Sequence, residues 1–470
     1  MTGRNRKVAT WLIAFGLARS AVLTTDSQAA DIRLQVQAAP GAQASPAPTG
    51  KLLTLEEAVR IGLDNHPRIK SANERVLSQE AILGQQMSAY YPTISLNNQY
   101  RTSYVGSASD KASASENFIS QALFSMTLYN FGKREGTVQA ARETLGAVQQ
   151  DAATTVQDTA LAIKTAYYTY LATQAFVNVA KGTVRNRELL VRQARGFFEV
   201  GTRAKIDVAR AEANLYNAQA GLITAENAVK IAWVTLRNAM GAPRLPEQPV
   251  AEDGPEVELS MDLAGARNMA YEARTELKSF ESQRRASDQL IATARRGHLP
   301  DLNFDASYGR RHQSDEIDRN NNRHLNTFPL QPAWAVGLVL NVPIFDGFRT
   351  TQRVEETLHN YYNVKAQEED RRQLIALEVE QSYLRVVETQ ERIKANESAT
   401  TAAKENLDLA QGRYQVGVGS IIEVTDAETL YTEAQINYVR SIYEYKIADA
   451  QLARAMGDTR VAVLKQNSIK

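Results

Sequence analysis

The stretch Phe197–Glu212 reads FFEVGTRAKIDVARAE, and the stretch Arg413–Glu428 reads RYQVGVGSIIEVTDAE. In both, a Val-Gly pair closes one helical pattern and a few residues later another begins, so the chain writes one turn twice. Val200-Gly201 and Val416-Gly417 lie 216 positions apart. The same offset relates Leu128-Tyr129-Asn130 to Ile344-Phe345-Asp346, Tyr167 to Tyr383, and Met240-Gly241 to Met456-Gly457. Further upstream, Leu55, Ala58 and Pro92 match Leu263, Ala266 and Pro300 at an offset of 208. The chain is therefore read as an internal duplication whose second copy carries a longer loop around RRHQSDEIDRNNNRH, from Arg310.

Proline marks where elements end, because it fits neither a helix interior nor a paired strand. After Pro92 the next proline is Pro243, and after Pro343 there is none. Within those spans Val156, Ile163, Tyr170, Val177, Val184, Val191 and Phe198 recur every seven residues, as do Val379, Val386, Ile393, Thr400, Leu407 and Tyr414. A sustained heptad predicts helices that supercoil on their neighbours. The expected spans are about 131–198 and 205–240 in the first copy, and about 347–414 and 421–456 in the second. A helix of that greater length runs about 100 Å at 1.5 Å per residue. A parallel column of small residues, Ala152, Thr159, Ala166, Thr173 and Ala180, lets neighbouring helices approach closely. Phe198 and Tyr414, last in their heptads, read as packing residues.

Ahead of each long helix the period changes to two. Strands are expected at about 92–105, 117–128, 300–311 and 333–342, paired two and two. Segments of about ten alternating residues suit a tilted membrane-spanning strand, and a soluble antiparallel sheet has the same period. Asn97, Gln99, Arg101, Asn303, Asp305 and Asn341 would face water inside a barrel. The start of the chain favours export. Arg4, Arg6 and Lys7 precede the apolar run Val8–Ala18 and then small residues, so residues 1–30 read as a signal peptide, cleaved near Ala21 or near Ala29 and Ala30. A single membrane anchor is the alternative, though the run is shorter than a span requires. Residues 31–51, rich in Pro and Ala, read as a disordered lead, and 458–470 as a tail.

Composition excludes much else. The 470 residues carry 54 Lys and Arg against 53 Asp and Glu, for a net charge of +1, so no basic footprint for nucleic acid exists. With no cysteine there is no disulfide, thiolate metal site or thiol catalysis. The five histidines fall in no ligand spacing, no phosphate loop is present, and no nucleophile, base and stabiliser converge, so neither an enzyme nor a metal or other cofactor is expected.

Four strands cannot close on themselves, and lipid tolerates no open sheet edge. Two copies would supply eight strands, filled by side chains, whereas three supply about 12 and the beginnings of a lumen. The expected architecture is mainly α with a membrane β-barrel. A duplicated strand-strand-long helix-helix repeat (52–241 and 262–457, joined by 242–261) would form a trimeric 12-stranded barrel continuing into a 12-helix α-barrel.

The paired LFSMTLYNFG and LVLNVPIFDG junctions, the VGTRAKIDVARAE and VGVGSIIEVTDAE turns and the two AMG ends, in this order and at this spacing, resemble the TolC-like outer membrane efflux proteins from about Leu52 to Gly457. The resemblance implies a homotrimeric duct with its β-barrel in the outer membrane of a Gram-negative cell, an α-barrel through the periplasm and a mixed equatorial belt holding the 242–261 linker. It implies docking to a periplasmic adaptor and through it to an inner-membrane transporter, for efflux or type I secretion. Both repeated turns then sit at the periplasmic mouth. Glu423 and Asp426 match the family's constricting acids, and three copies would set six carboxylates round the axis, a ring that favours cations. Asp207 occupies the place of Glu423 in the first copy.

The tip residues Val200, Gly201, Thr202, Arg203, Tyr414, Val416, Gly417, Val418 and Gly419 are the implied adaptor contacts and mouth. One departure stands out: the family often has an arginine where this chain has Gly419, and Arg203 sits in the first copy instead. Simpler readings remain for several of these residues. Ser420 with Glu423 fits a helix capping box, and the glycines serve a left-handed turn. Tyr129, Phe131, Trp334, Phe345 and Phe348 read as an aromatic girdle at the membrane interface, or as ordinary packing. A non-enzymatic periplasmic coiled-coil scaffold is the second functional reading, against which the strands argue.

Overall fold

The computed structural model describes residues 52–105, 113–252, 261–314 and 330–457. The expected signal peptide, lead and tail, and most of the longer second-copy loop, lie outside the described residues. Each repeat opens with two helices that the sequence reading did not assign: α1 (Leu55–Asn65) and α2 (Pro67–Met87) in the first copy, α5 (Leu263–Ala273) and α6 (Thr275–Arg295) in the second. Two strands follow, β1 (Thr93–Val105) and β2 (Ser113–Tyr129), then β3 (Asp301–Ser314) and β4 (Gln331–Asn341). The long helices α3 (Lys133–Glu199) and α7 (Arg349–Gln415) have 67 residues each, and the returning helices α4 (Lys205–Ala239) and α8 (Ile421–Ala455) have 35 each.

The overlooked helices follow from local signals. Thr54 and Asp262 cap α1 and α5 by accepting from the amides of Glu57 and Gly265. Pro67 starts α2 at a position where its missing N–H costs nothing. Packing then explains their place: α2 and α4 both lie against α3, while α6 and α8 both lie between α3 and α7. The short and returning helices therefore meet end on. Gly241, with φ of +64°, brings the end of α4 so near the α1–α2 corner that an added Cβ would stand 2.8 Å from His66 Cα. Gly457, with φ of +80°, does the same for α8, where a Cβ would stand 2.9 Å from that of Ala273.

Two clusters fill these meeting points. In one, Ile163, Tyr167, Tyr170, Trp233, Leu236 and Met240 pack on α1, and Tyr167 donates to the carbonyls of Leu53 and Ala251 at 3.1 and 2.6 Å. That bond ties down a short parallel bridge, Leu53 to Val250, just ahead of α1 and within the linker. In the other, Ala266, Leu277, Ile375 and Val379 pack beside Arg274, which is wholly buried. Arg274, Arg371 and Arg454 together meet Glu276 and Glu378, so this buried charge is shared across α6, α7 and α8.

The strands form one antiparallel sheet in the order β1-β2-β3-β4, so β2 also pairs with β3 and the two copies are joined into a single surface. Opposed residues of an antiparallel pair point to one face. The register puts Ile94, Phe124, Ala306 and Val336 in one row, and Leu96, Ala122, Tyr308 and Trp334 in another, on an apolar face. Asn97, Gln121 and Gly309 make a row on the opposite face, where Asn303 accepts from the Thr127 hydroxyl at 2.9 Å. Ile94, Leu96, Tyr308, Trp334 and Leu338 are each at least 65 % exposed, so a single chain leaves the apolar face bare. No helix among the described residues is long and apolar enough to cross a membrane.

Candidate functional site at the helical tips

Each long helix ends by the same device. Gly201 and Gly417 take φ of +76° and +84°, a conformation that costs glycine little, and their amides return to Phe198 and Tyr414 at 3.0 and 3.1 Å. Val200, Val416 and Val418 are bare on these turns, each at least 68 % exposed. Behind them Leu190, Val191, Leu407, Tyr414, Ile421 and Val424 close a small apolar core. The last heptad positions differ. Tyr414 is buried and meets the ring of Phe197 edge-on at 5.5 Å, whereas Phe198 is 43 % exposed.

Arg203 joins the two turns. Its Nη2 donates to the carbonyls of Gly417 and Gly419 at 3.1 and 2.6 Å, and its guanidinium lies 5.3 Å from the centre of the Tyr414 ring. Gly419 is buried, and a Cβ there would stand 3.0 Å from the backbone of Arg413 and Tyr414. The arginine absent from the second turn is thus answered by one reaching across from the first. Thr202 closes the first turn by donating its hydroxyl to the Phe197 carbonyl at 2.9 Å.

The acids divide. Ser420 accepts from the Glu423 amide at 3.2 Å, so the cap exists, while the Glu423 carboxylate itself stays half exposed, 3.4 Å from Arg413 Nε. Asp426, one turn on, is exposed and has no ion pair among the described residues. Asp207 belongs to a different environment: burial pushes the Tyr414 phenol up, and the Asp207 charge adds to that rise. Glu423 and Asp426, three residues apart, share a face of α8, and the charge of Asp207 acts on Tyr414 of α7.

The five aromatics also fall into two groups. Tyr129 with Phe131 (4.7 Å between ring centres) and Phe345 with Phe348 (5.4 Å) sit at the strand-to-helix junctions. Phe131 and Phe348 hold φ of +53° and +65°, beside Gly132 and Gly347, so the same two-residue left-handed bend is written FG in one copy and GF in the other. Trp334 lies near the far end of β4, beside Tyr308.

A family model described as "Outer membrane efflux protein" matches residues 59–242 and 266–458, one span for each repeat. The chain belongs to this outer membrane efflux protein family. Among relatives of this efflux protein, the outer membrane protein TolC of Vibrio cholerae is 26 % identical over 412 residues, covering 86 % of this chain and 90 % of that one. Protein CyaE of Bordetella pertussis is 24 % identical over 477 residues, covering 97 % and 95 %. The fold is similar to the Campylobacter jejuni CmeC outer membrane channel, with a TM-score of 0.74 at 16 % identity over 88 % of this chain and 89 % of that one. The chain is accordingly a protein of the Gram-negative outer membrane, with a helical extension into the periplasm.

One charged pair in this efflux protein escaped the reading of its sequence. Glu428, the last residue of the second repeated stretch, is 1 % exposed and lies 3.1 Å from Arg187 Nε of α3. A signal was present: Arg187 is the next member of the small column Ala152, Thr159, Ala166, Thr173, Ala180, where a long cation breaks the pattern.

Proposed function

We propose that this protein is the passive exit duct of a tripartite efflux or type I secretion system, a homotrimer gated at its periplasmic tips. The observation that carries the reading is the open sheet: β1 and β4 are edges, exposed at nearly every described position, and among the described residues nothing covers the apolar face. Such a surface is stable in lipid only when other copies pair with the edges. Three copies of four strands give 12, and three copies of the α2/α4, α3, α6/α8 and α7 columns give 12 helical columns. The family description, an outer membrane efflux protein, and the name of TolC, an outer membrane protein, support the membrane and efflux parts of this reading.

At the mouth, the Glu423 and Asp426 carboxylates of three subunits form the constriction and favour cations. The bare valines of the two turns offer a periplasmic adaptor an apolar contact, and the adaptor links the duct to an inner-membrane transporter that supplies the energy. Opening parts the α7–α8 hairpin from α3 and α4, against the Arg203 bond between the turns. Mass measurement of the detergent-solubilised protein under native conditions tests the assembly. A trimer is expected, and a dimer or monomer would overturn the strand count.

A further inference from the structure

In the lower part of the seam between α3 and α8 the Thr183 and Thr432 hydroxyls are in contact at 3.2 Å. One turn nearer the tips, the same register opposes Arg187 to Glu428. Both are buried, and the pair is incompletely satisfied. Arg187 Nη2 donates to Thr429 Oγ1 at 3.2 Å and toward the Thr425 carbonyl at 3.5 Å, while Arg187 Nη1 and Glu428 Oε1 have no hydrogen-bond partner among the described residues. Burial pushes the Glu428 carboxyl up even with Arg187 beside it, so desolvation outweighs the attraction. Of the other charges near this level, Lys181 and Arg185 on α3, Lys404, Glu405 and Asp408 on α7 and Glu433 on α8 are exposed, and Glu188 on α3 is half-buried. A buried ion pair is often no stronger than apolar side chains of similar volume, and its best-attested use is to fix the register of the helices that hold it.

We infer that Arg187 and Glu428 are positioning residues, which fix the register of α8, and so the height of Glu423 and Asp426, while making this seam the place where the mouth parts. The inference rests on the gated-tip reading above. Its consequence is a pair of substitutions with opposite effects. Glu428→Gln strands a buried guanidinium, which reaches water only if α8 leaves α3, so the duct opens more. Arg187→Met with Glu428→Met fills the seam, so the duct opens less while the trimer resists heat better. A residue with a merely structural role would not raise heat resistance and lower opening together.

The test is single-channel recording in planar bilayers on detergent-purified trimers. The expected results are a rise of about tenfold or more in open probability for Glu428→Gln, a fall below wild type for the double Met variant, and wild-type gating for the charge-reversed pair Arg187→Glu with Glu428→Arg. The chain has no cysteine, so Thr183→Cys with Thr432→Cys adds one assignable disulfide across the same seam. Oxidised, it should abolish the openings of Glu428→Gln, and a reductant should return them. Unchanged gating in Glu428→Gln trimers, or openings that persist through the oxidised clamp, would overturn the inference. If Glu423→Ala with Asp426→Ala leaves ion selectivity unchanged while the seam variants behave as stated, the acid constriction fails and the seam stands. The reverse pattern removes the seam alone.

Discussion

Arg203→Ala isolates the bond between the two turns. The side chain gives one donor shared by two carbonyls and a face over Tyr414, all at a partly exposed position. A hydrogen bond from a charged donor is worth about 1.5–3 kcal/mol when sheltered, and partial exposure brings each of these nearer 1 kcal/mol. The cation–π contact adds about 0.5 kcal/mol at an exposed site. Their sum, about 2.5 kcal/mol, corresponds to roughly a seventyfold shift of the closed-to-open ratio for each turn pair. The fold itself should not suffer, because the buried belt lies far up the helices and tip residues open locally. Single-channel recording should therefore show Arg203→Ala dwelling longer in its open level at an unchanged thermal midpoint. Arg203→Lys keeps the charge but not the planar fork, so it should fall between the two. Identical dwell times for all three proteins would refute the idea that this bond resists opening.

Glu423→Ala with Asp426→Ala should raise conductance and weaken cation preference, read from reversal potentials in a salt gradient. Gly457→Ala forces a Cβ to 2.9 Å from Ala273 at a positive φ and should cost about 1–3 kcal/mol, seen as a lowered unfolding midpoint in detergent, with Gly241→Ala behaving alike. Arg274→Met leaves Glu276 leaning on Arg371 and Arg454 only, so a loss of about 2–3 kcal/mol is expected by the same measurement. Burial pushes the Glu276 carboxyl up, but Arg274, Arg454 and Arg371 outweigh it and hold the carboxyl below its ordinary value. The stabilisation from this group is therefore complete above about pH 4.3 and lost as pH falls through the lower folded value. The thermal contribution removed by Glu276→Gln should be constant from pH 7 to 5 and shrink only in stronger acid.

The long helices and the strands could be read from the sequence because each has a period that few other arrangements produce. Every heptad residue from Val156 to Val191 is buried, and the alternation of Ile94, Leu96 and their partners resolves into the two faces of one sheet. The helices α1, α2, α5 and α6 were hidden by their neighbourhood. α1 and α5 have only 11 residues, α2 buries only Ile69 and Ala72, and several of the buried residues of α6 are polar, such as Thr275, Glu276, Ser279 and Ser282, so no apolar repeat accumulates. The tip turns were legible as turns from Val-Gly pairs. Their bonding was not, since nothing in the spelling of Arg203 says that its partners are carbonyls 214 and 216 residues away.

What the duplication preserves and what it varies point to the same conclusion. Helix lengths of 11, 21, 67 and 35 residues are kept in both copies, as are the left-handed bends and the Val-Gly turns. A backbone so constrained leaves side-chain charge as the main difference between the hairpins. At equivalent positions the first copy has Arg203, Asp207 and Glu212, and the second has Gly419, Glu423 and Glu428. Glu212 pairs with Arg195 at the surface of its own hairpin, while Glu428 is drawn inward to the other copy's Arg187. Arg203 likewise crosses to the other copy. Two hairpins of one shape, each holding charged side chains whose partners lie on the other, can move apart without unfolding either. On the proposed gating, the contacts within one chain that they would give up among the described residues are those that cross between the copies, and that is the mechanical requirement of a mouth that opens.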